Sequence, residues 1–81
     1  MKLPVRLYAR ARDLAGADTV QIELEEGATI AMLRSALMEQ CPQLQPVGSS
    51  LLFAVGTDYA AETQPLNAES QVTCFPPVSG G

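Results

Sequence analysis

The chain contains no histidine, which removes at once the commonest general base and one of the commonest zinc ligands. Its two cysteines, Cys41 and Cys74, stand outside any paired motif. A zinc site would lack most of its usual donors, so both read as small core hydrophobes with reduced thiols. Without a histidine or a cysteine-based motif, the chain offers no acid, base and nucleophile set of its own. Basic residues are scarce as well, five against nine acids for a net charge of −4. Lys2, Arg6, Arg10 and Arg12 fall within the first twelve positions, leaving Arg34 alone among all nine acids. That distribution argues against a nucleic-acid surface, which needs a basic footprint. The acidic remainder suits either a basic protein partner or a solvated surface. No apolar run approaches the length that spans a bilayer, and the Met1-Lys2 start is charged too soon for a secretory segment. The expectation is a cytoplasmic protein with neither membrane nor nucleic acid as a partner.

What is present fits one compact domain, residues 1–81, since 47% of the chain is hydrophobic. Leu3, Val5 and Leu7 alternate with Pro4, Arg6 and Tyr8, which predicts a strand with one apolar face and Pro4 near its start. Ala9 to Ala15 is rich in helix formers and closes on Gly16, a residue suited to a left-handed cap. Thr19 to Leu24 alternates again and forms the second strand of a hairpin-like pair. Thr29 then offers an N-cap, and Ile30, Leu33, Leu37 and Cys41 follow at helical spacing until Pro42 ends the helix. Met32 and Met38 flank that stripe as gap-filling core residues. Pro42 to Ser50 reads as a loop, and Leu51 to Val55 as a strand covered on both faces. Tyr59 to Glu62 reads as a short edge strand, and Gln71 to Phe75 as the last strand.

In that last strand Val72 and Cys74 share one phase, while Gln71, Thr73 and Phe75 share the other. If the first phase faces the helix, Phe75 points to the opposite, wetter face as an interface anchor. Phe53 lies in a run with two apolar faces and is expected to extend the same patch. The chain then runs through Pro76-Pro77-Val78-Ser79 to Gly80-Gly81. Prolines stiffen the exit, while glycines lack a Cβ and can enter a channel that side chains cannot. The tail is therefore expected to protrude and to present a working carboxylate at Gly81.

The order strand, strand, helix, strand, short strand, strand is an α+β, ubiquitin-like β-grasp arrangement, a mixed sheet of four to five strands covered by one main helix. With Leu7-Tyr8-Ala9, Arg12-Asp13-Leu14, Gly16, Leu52-Phe53-Ala54-Val55, Pro65-Leu66 and the ending Phe75 to Gly81, the chain resembles the small, sulfur-carrying subunit of molybdopterin synthase. Tyr8, Asp13, Gly56, Cys74 and Ser79 depart from the commonest residues of that family.

The resemblance implies that an adenylyltransferase of the ubiquitin-activating type, using ATP and Mg²⁺, converts the Gly81 carboxylate to an acyl-adenylate. A sulfur donor such as a cysteine desulfurase or a rhodanese then leaves a thiocarboxylate. The large synthase subunit receives the tail, and the sulfur passes to a cyclic pyranopterin precursor. In that scheme the isolated chain binds no cofactor, is not catalytic alone, and assembles as two small and two large subunits. Gly81 reacts, Gly80 keeps the tip slim, and Pro76, Pro77, Val78 and Ser79 form the spacer. Phe75, Tyr8, Arg12 and Phe53 are the partner contacts. The alternatives are a sulfur carrier for thiamine or tRNA thiolation, a protein modifier that joins Gly81 to a lysine, and a plain interaction module.

Overall fold

The computed structural model describes residues 1–77. β1 (Lys2–Leu7) alternates strictly, with Leu3, Val5 and Leu7 buried and Lys2, Pro4 and Arg6 exposed. Period-two polarity therefore fixes which face of this strand meets the core. α1 (Ala9–Ala15) follows and stops at Gly16, whose φ of 75° is a left-handed cap that costs glycine little. β2 (Thr19–Glu23) then pairs antiparallel with β1, Leu3 opposite Ile22 and Val5 opposite Val20. Pro4 precedes the first β1 residue paired with β5 (Val72–Phe75), so its missing N–H costs the ladder nothing.

α2 (Ile30–Gln40) begins at Thr29, whose hydroxyl accepts the Met32 N–H at 3.4 Å, and buries Ile30, Leu33 and Leu37. Beyond it, Pro42–Ser50 forms a 3₁₀ helix rather than the expected loop. Proline at its first turn forfeits no hydrogen bond, and Leu44 is fully buried with Val47 packed against the core beside it, so two apolar residues in a polar stretch anchor it. Gly48 lies so close to the Met38 side chain that an added Cβ would collide with the sulfur. Met38 is thus packed as expected, whereas Met32 is 57% exposed and takes no part in the core. It sits off the Ile30, Leu33, Leu37 stripe.

β3 (Leu52–Val55) and the two-residue β4 (Asp58–Tyr59) form a hairpin around Gly56, which has φ 64°. β4 is shorter than the expected edge strand and begins one residue earlier. The five strands lie in the order β2-β1-β5-β3-β4, with β1 and β5 parallel at the centre and every other pair antiparallel. This is the β-grasp arrangement. The core gathers Leu3, Val5, Leu7, Ile22, Ile30, Leu33, Leu37, Leu44, Leu51, Phe53, Val72 and Cys74 on the helix side of the sheet. β3 is not covered on both faces, since Leu52 is 38% exposed.

Arg34 fastens the outer half of the sheet to α2. Its guanidinium donates to the carbonyls of Gly48 and Leu51 at 2.7 Å each and to both carboxylate oxygens of Glu62 at 3.1 and 2.8 Å. Its central carbon lies 5.0 Å from the centre of the Phe53 ring. One planar cation thereby ties the end of the 3₁₀ helix to the segment leaving β4, and roofs an aromatic that would otherwise meet solvent.

Candidate functional site

The candidate site is the face of the sheet that no helix covers, at the root of the tail. Antiparallel pairing of β3 with β5 sets Leu52 opposite Phe75 and Phe53 opposite Cys74. Side chains alternate across a strand, so Leu52 and Phe75 share the open face, while Phe53 and Cys74 share the core face. β4 adds Tyr59, paired with Ala54 and 73% exposed. The Tyr59 and Phe75 rings lie 5.7 Å apart and tilted by 52°, a favourable aromatic geometry. Leu52, Tyr59 and Phe75 together make an apolar patch directly before Pro76.

β1 borders the patch on its other side. The Tyr8 N–H donates to the Cys74 carbonyl at 3.1 Å, holding the last turn of β5 against the end of β1. Tyr8 is 43% exposed, and the Arg6 guanidinium sits 5.8 Å from the centre of its ring. Arg6, Tyr8, Pro4, Thr19 and Thr73 line a shallow groove of about 470 Å³ that runs along β1 beside the patch. Immediately after Tyr8 the chain turns into α1 with Ala9 at φ 53°, a left-handed conformation rare for alanine. The open face therefore grades from apolar on β3 and β4 to basic and hydroxylic on β1.

The expected contacts divide three ways. Phe75 and Tyr8 lie on this face as expected. Phe53 does not: it is 2% exposed and packs beneath Arg34 on the helix side, so Leu52 takes the place assigned to it. A one-residue shift along a strand reverses the face, and the apolar run Leu51 to Val55 carries no alternation to reveal it. Arg12 is exposed on α1, where its nearest carboxylate is that of Asp13 at 3.8 Å. Pro76 is half-buried and Pro77 exposed, while Val78, Ser79, Gly80 and Gly81 lie outside the described residues. Leu52 and Tyr59 escaped the sequence reading. The register of β3 on β5 places Leu52 against Phe75, and the pairing of β4 with β3 brings Tyr59 to the same face.

Cys74 sits beside the tail but is fully buried, and burial pushes its thiol up to about 12. A thiol so far from ionisation is not a nucleophile near neutral pH. Among the described residues no cluster of three or more histidine, cysteine or acidic side chains is arranged to hold a metal, and no helix is long and apolar enough to cross a membrane. What this face presents is an exposed apolar patch beside a basic and hydroxylic groove.

The chain is similar to several known proteins. A molybdopterin synthase sulfur carrier subunit of Arabidopsis thaliana is 27% identical over 81 residues, covering all of this chain and 84% of the relative. Among solved structures, Haloferax volcanii SAMP1, the small archaeal modifier protein 1, superimposes with a TM-score of 0.85 at 27% identity over the whole of both chains. A putative molybdopterin converting factor subunit 1 from Pyrococcus furiosus gives 0.83 at 29% identity, covering 96% of this chain and 99% of that one. The ThiS family profile matches residues 5–81, a span that takes in the open sheet face, the proline exit and the two final glycines, and the chain belongs to that family.

Proposed function

We propose that this chain is a sulfur carrier of molybdenum cofactor biosynthesis, acting in the cytoplasm as the small subunit of molybdopterin synthase. The observation that carries the reading is its end-to-end relation to proteins named molybdopterin synthase sulfur carrier subunits. The apolar patch at the root of the tail gives that relation a physical basis. Leu52, Tyr59 and Phe75 offer a desolvatable anchor for the large subunit, and Pro76 and Pro77 stiffen the chain where β5 ends.

A carboxylate resists substitution because its oxygen is a poor leaving group. In the proposed reaction the Gly81 carboxylate attacks the α-phosphorus of ATP, bound with Mg²⁺ on a ubiquitin-activating-type adenylyltransferase, and pyrophosphate leaves. Sulfide, or its equivalent from a cysteine desulfurase or rhodanese, then attacks the acyl carbon, and AMP departs. The product is a Gly81 thiocarboxylate. In the large subunit the thiocarboxylate sulfur displaces an oxygen substituent from the cyclic pyranopterin precursor to form an acyl thioester, and hydrolysis by water leaves the sulfur on the precursor and returns the Gly81 carboxylate. Gly80 and Gly81 present no side chain to obstruct a narrow channel, and Val78 and Ser79 complete the spacer. Tyr8 and Arg12 supply polar contacts at the edge of the interface.

Intact-protein mass spectrometry after incubation with the adenylating enzyme, ATP and sulfide tests the reaction. The expected gain equals replacement of one oxygen by sulfur on the peptide ending at Gly81. No gain, under conditions that thiolate a known carrier, rejects it.

A second reading rests on the likeness to SAMP1, which is named a modifier. An activated Gly81 would then acylate a lysine amine, releasing AMP and leaving an isopeptide bond. Isopeptide-linked adducts in lysates of the native host, with no thiocarboxylate on the free chain, would favour it.

A further inference from the structure

β2 is the longer of the two sheet edges and thus the hazardous one, since β4 has only two residues. The Leu7 N–H reaches the Asp18 carbonyl, and Leu24 exchanges hydrogen bonds with Met1. Alternation in an antiparallel ladder then directs the backbone groups of Thr19, Gln21 and Glu23 away from β1, toward an absent neighbour. At Glu23 that place is taken. The Gln40 side-chain amide at the end of α2 accepts from the Glu23 N–H and donates to the Glu23 carbonyl, both at 3.3 Å. These are the two hydrogen bonds a neighbouring strand would make.

A second copy of this chain is the natural neighbour for such an edge. Antiparallel pairing about a two-fold axis at Gln21 would set Gln21 against itself and Thr19 against Glu23 of the other copy, with no like charges directly opposed. Both outer rungs of that ladder use Glu23, once from each copy. Gln40 therefore removes two rungs of three with one side chain. We propose that Gln40 is an edge guard, which keeps two copies of this chain from joining their sheets through β2.

Gln40 is exposed and ends its helix, so Gln40→Ala preserves the fold, and thermal melting of the full chain checks this. Sedimentation of Gln40→Ala against the unaltered chain at matched concentrations should show self-association strengthened by about tenfold or more, the net return of several hydrogen bonds. At low concentration the Glu23 amide should exchange its hydrogen faster in the variant. Gln40→Ala combined with Gln21→Lys, which opposes two lysines at the two-fold axis, should return the chain to a monomer. Equal self-association with and without Gln40 overturns the proposal. So does a Gln40→Ala dimer that survives Gln21→Lys, because its contact would lie elsewhere.

Discussion

Phe53 and Phe75 lie on paired strands, one register step apart, and their surroundings are opposite. Phe53 is 2% exposed, stacked under Arg34 and enclosed by the α2 layer, while Phe75 is half-exposed beside Tyr59 on the bare face. The same side chain is core in one position and exposed to a would-be partner in the other. A sheet with one covered face can hold an apolar patch on the second face without weakening its core. The patch then stands out, because Leu52 and Tyr59 remain exposed where polar residues are the norm.

Phe53→Ala opens a cavity in the core and strips Arg34 of its aromatic partner. It should cost about 3–5 kcal/mol, most of the stability of a domain this small, read from the midpoint of denaturant unfolding. Phe75→Ala should do the reverse. Its unfolding midpoint should shift little, while affinity for the large synthase subunit falls by about 2 kcal/mol or more, roughly thirtyfold, in calorimetric titration. A Phe75→Ala chain that binds unchanged would remove the open face from the interface.

The two cysteines differ in the same way. Cys41 is half-buried and Cys74 fully buried. A thiol reagent at mildly alkaline pH should label Cys41 in the folded chain and reach Cys74 only after unfolding, as mass spectrometry of the peptides will show. Because burial raises the Cys74 thiol from its usual 9.0 to about 12, the unfolded chain loses this proton first. Cys74 therefore costs nothing below pH 9, and its burial should lower stability progressively as pH rises from 9 toward 12. Cys74→Ala should flatten that alkaline limb.

The smallest effect belongs to Glu62. Its hydrogen bonds from Arg34 lower its carboxyl below the usual 4.5, with burial opposing and the bare charge attraction adding to the shift. The contribution is fully present above pH 4.5 and is lost as pH falls through the lower folded value. The Glu62 side chain is half-exposed, so solvent screening holds the effect below about 1 kcal/mol. Glu62→Gln should remove that part of the acid dependence and leave the neutral-pH midpoint nearly unchanged.

Much of the architecture was legible from period alone. Leu3, Val5 and Leu7, then Val72 and Cys74, declare their faces by alternation, and Ile30, Leu33 and Leu37 declare a helix stripe. Those patterns survive because each element has one wet side. The phase of β3 was not legible, since Leu52-Phe53-Ala54-Val55 is apolar on both sides. The 3₁₀ helix hid behind Pro42, Pro46 and Gly48, with Leu44 and Val47 marking its contact with the core.

The succession of strands and helix along the chain, the capped helix, the aromatic at the end of the last strand and the proline and glycine ending can all be read from the linear sequence. Local periodicity, capping and backbone restriction act within a few residues, so a linear reading captures them. Packing in three dimensions is what brings Leu52 and Tyr59 beside Phe75 while Phe53 turns inward. It alone set Arg34 against Glu62 and Gln40 against the β2 edge, because these contacts depend on register and on segments up to 28 residues apart meeting in space.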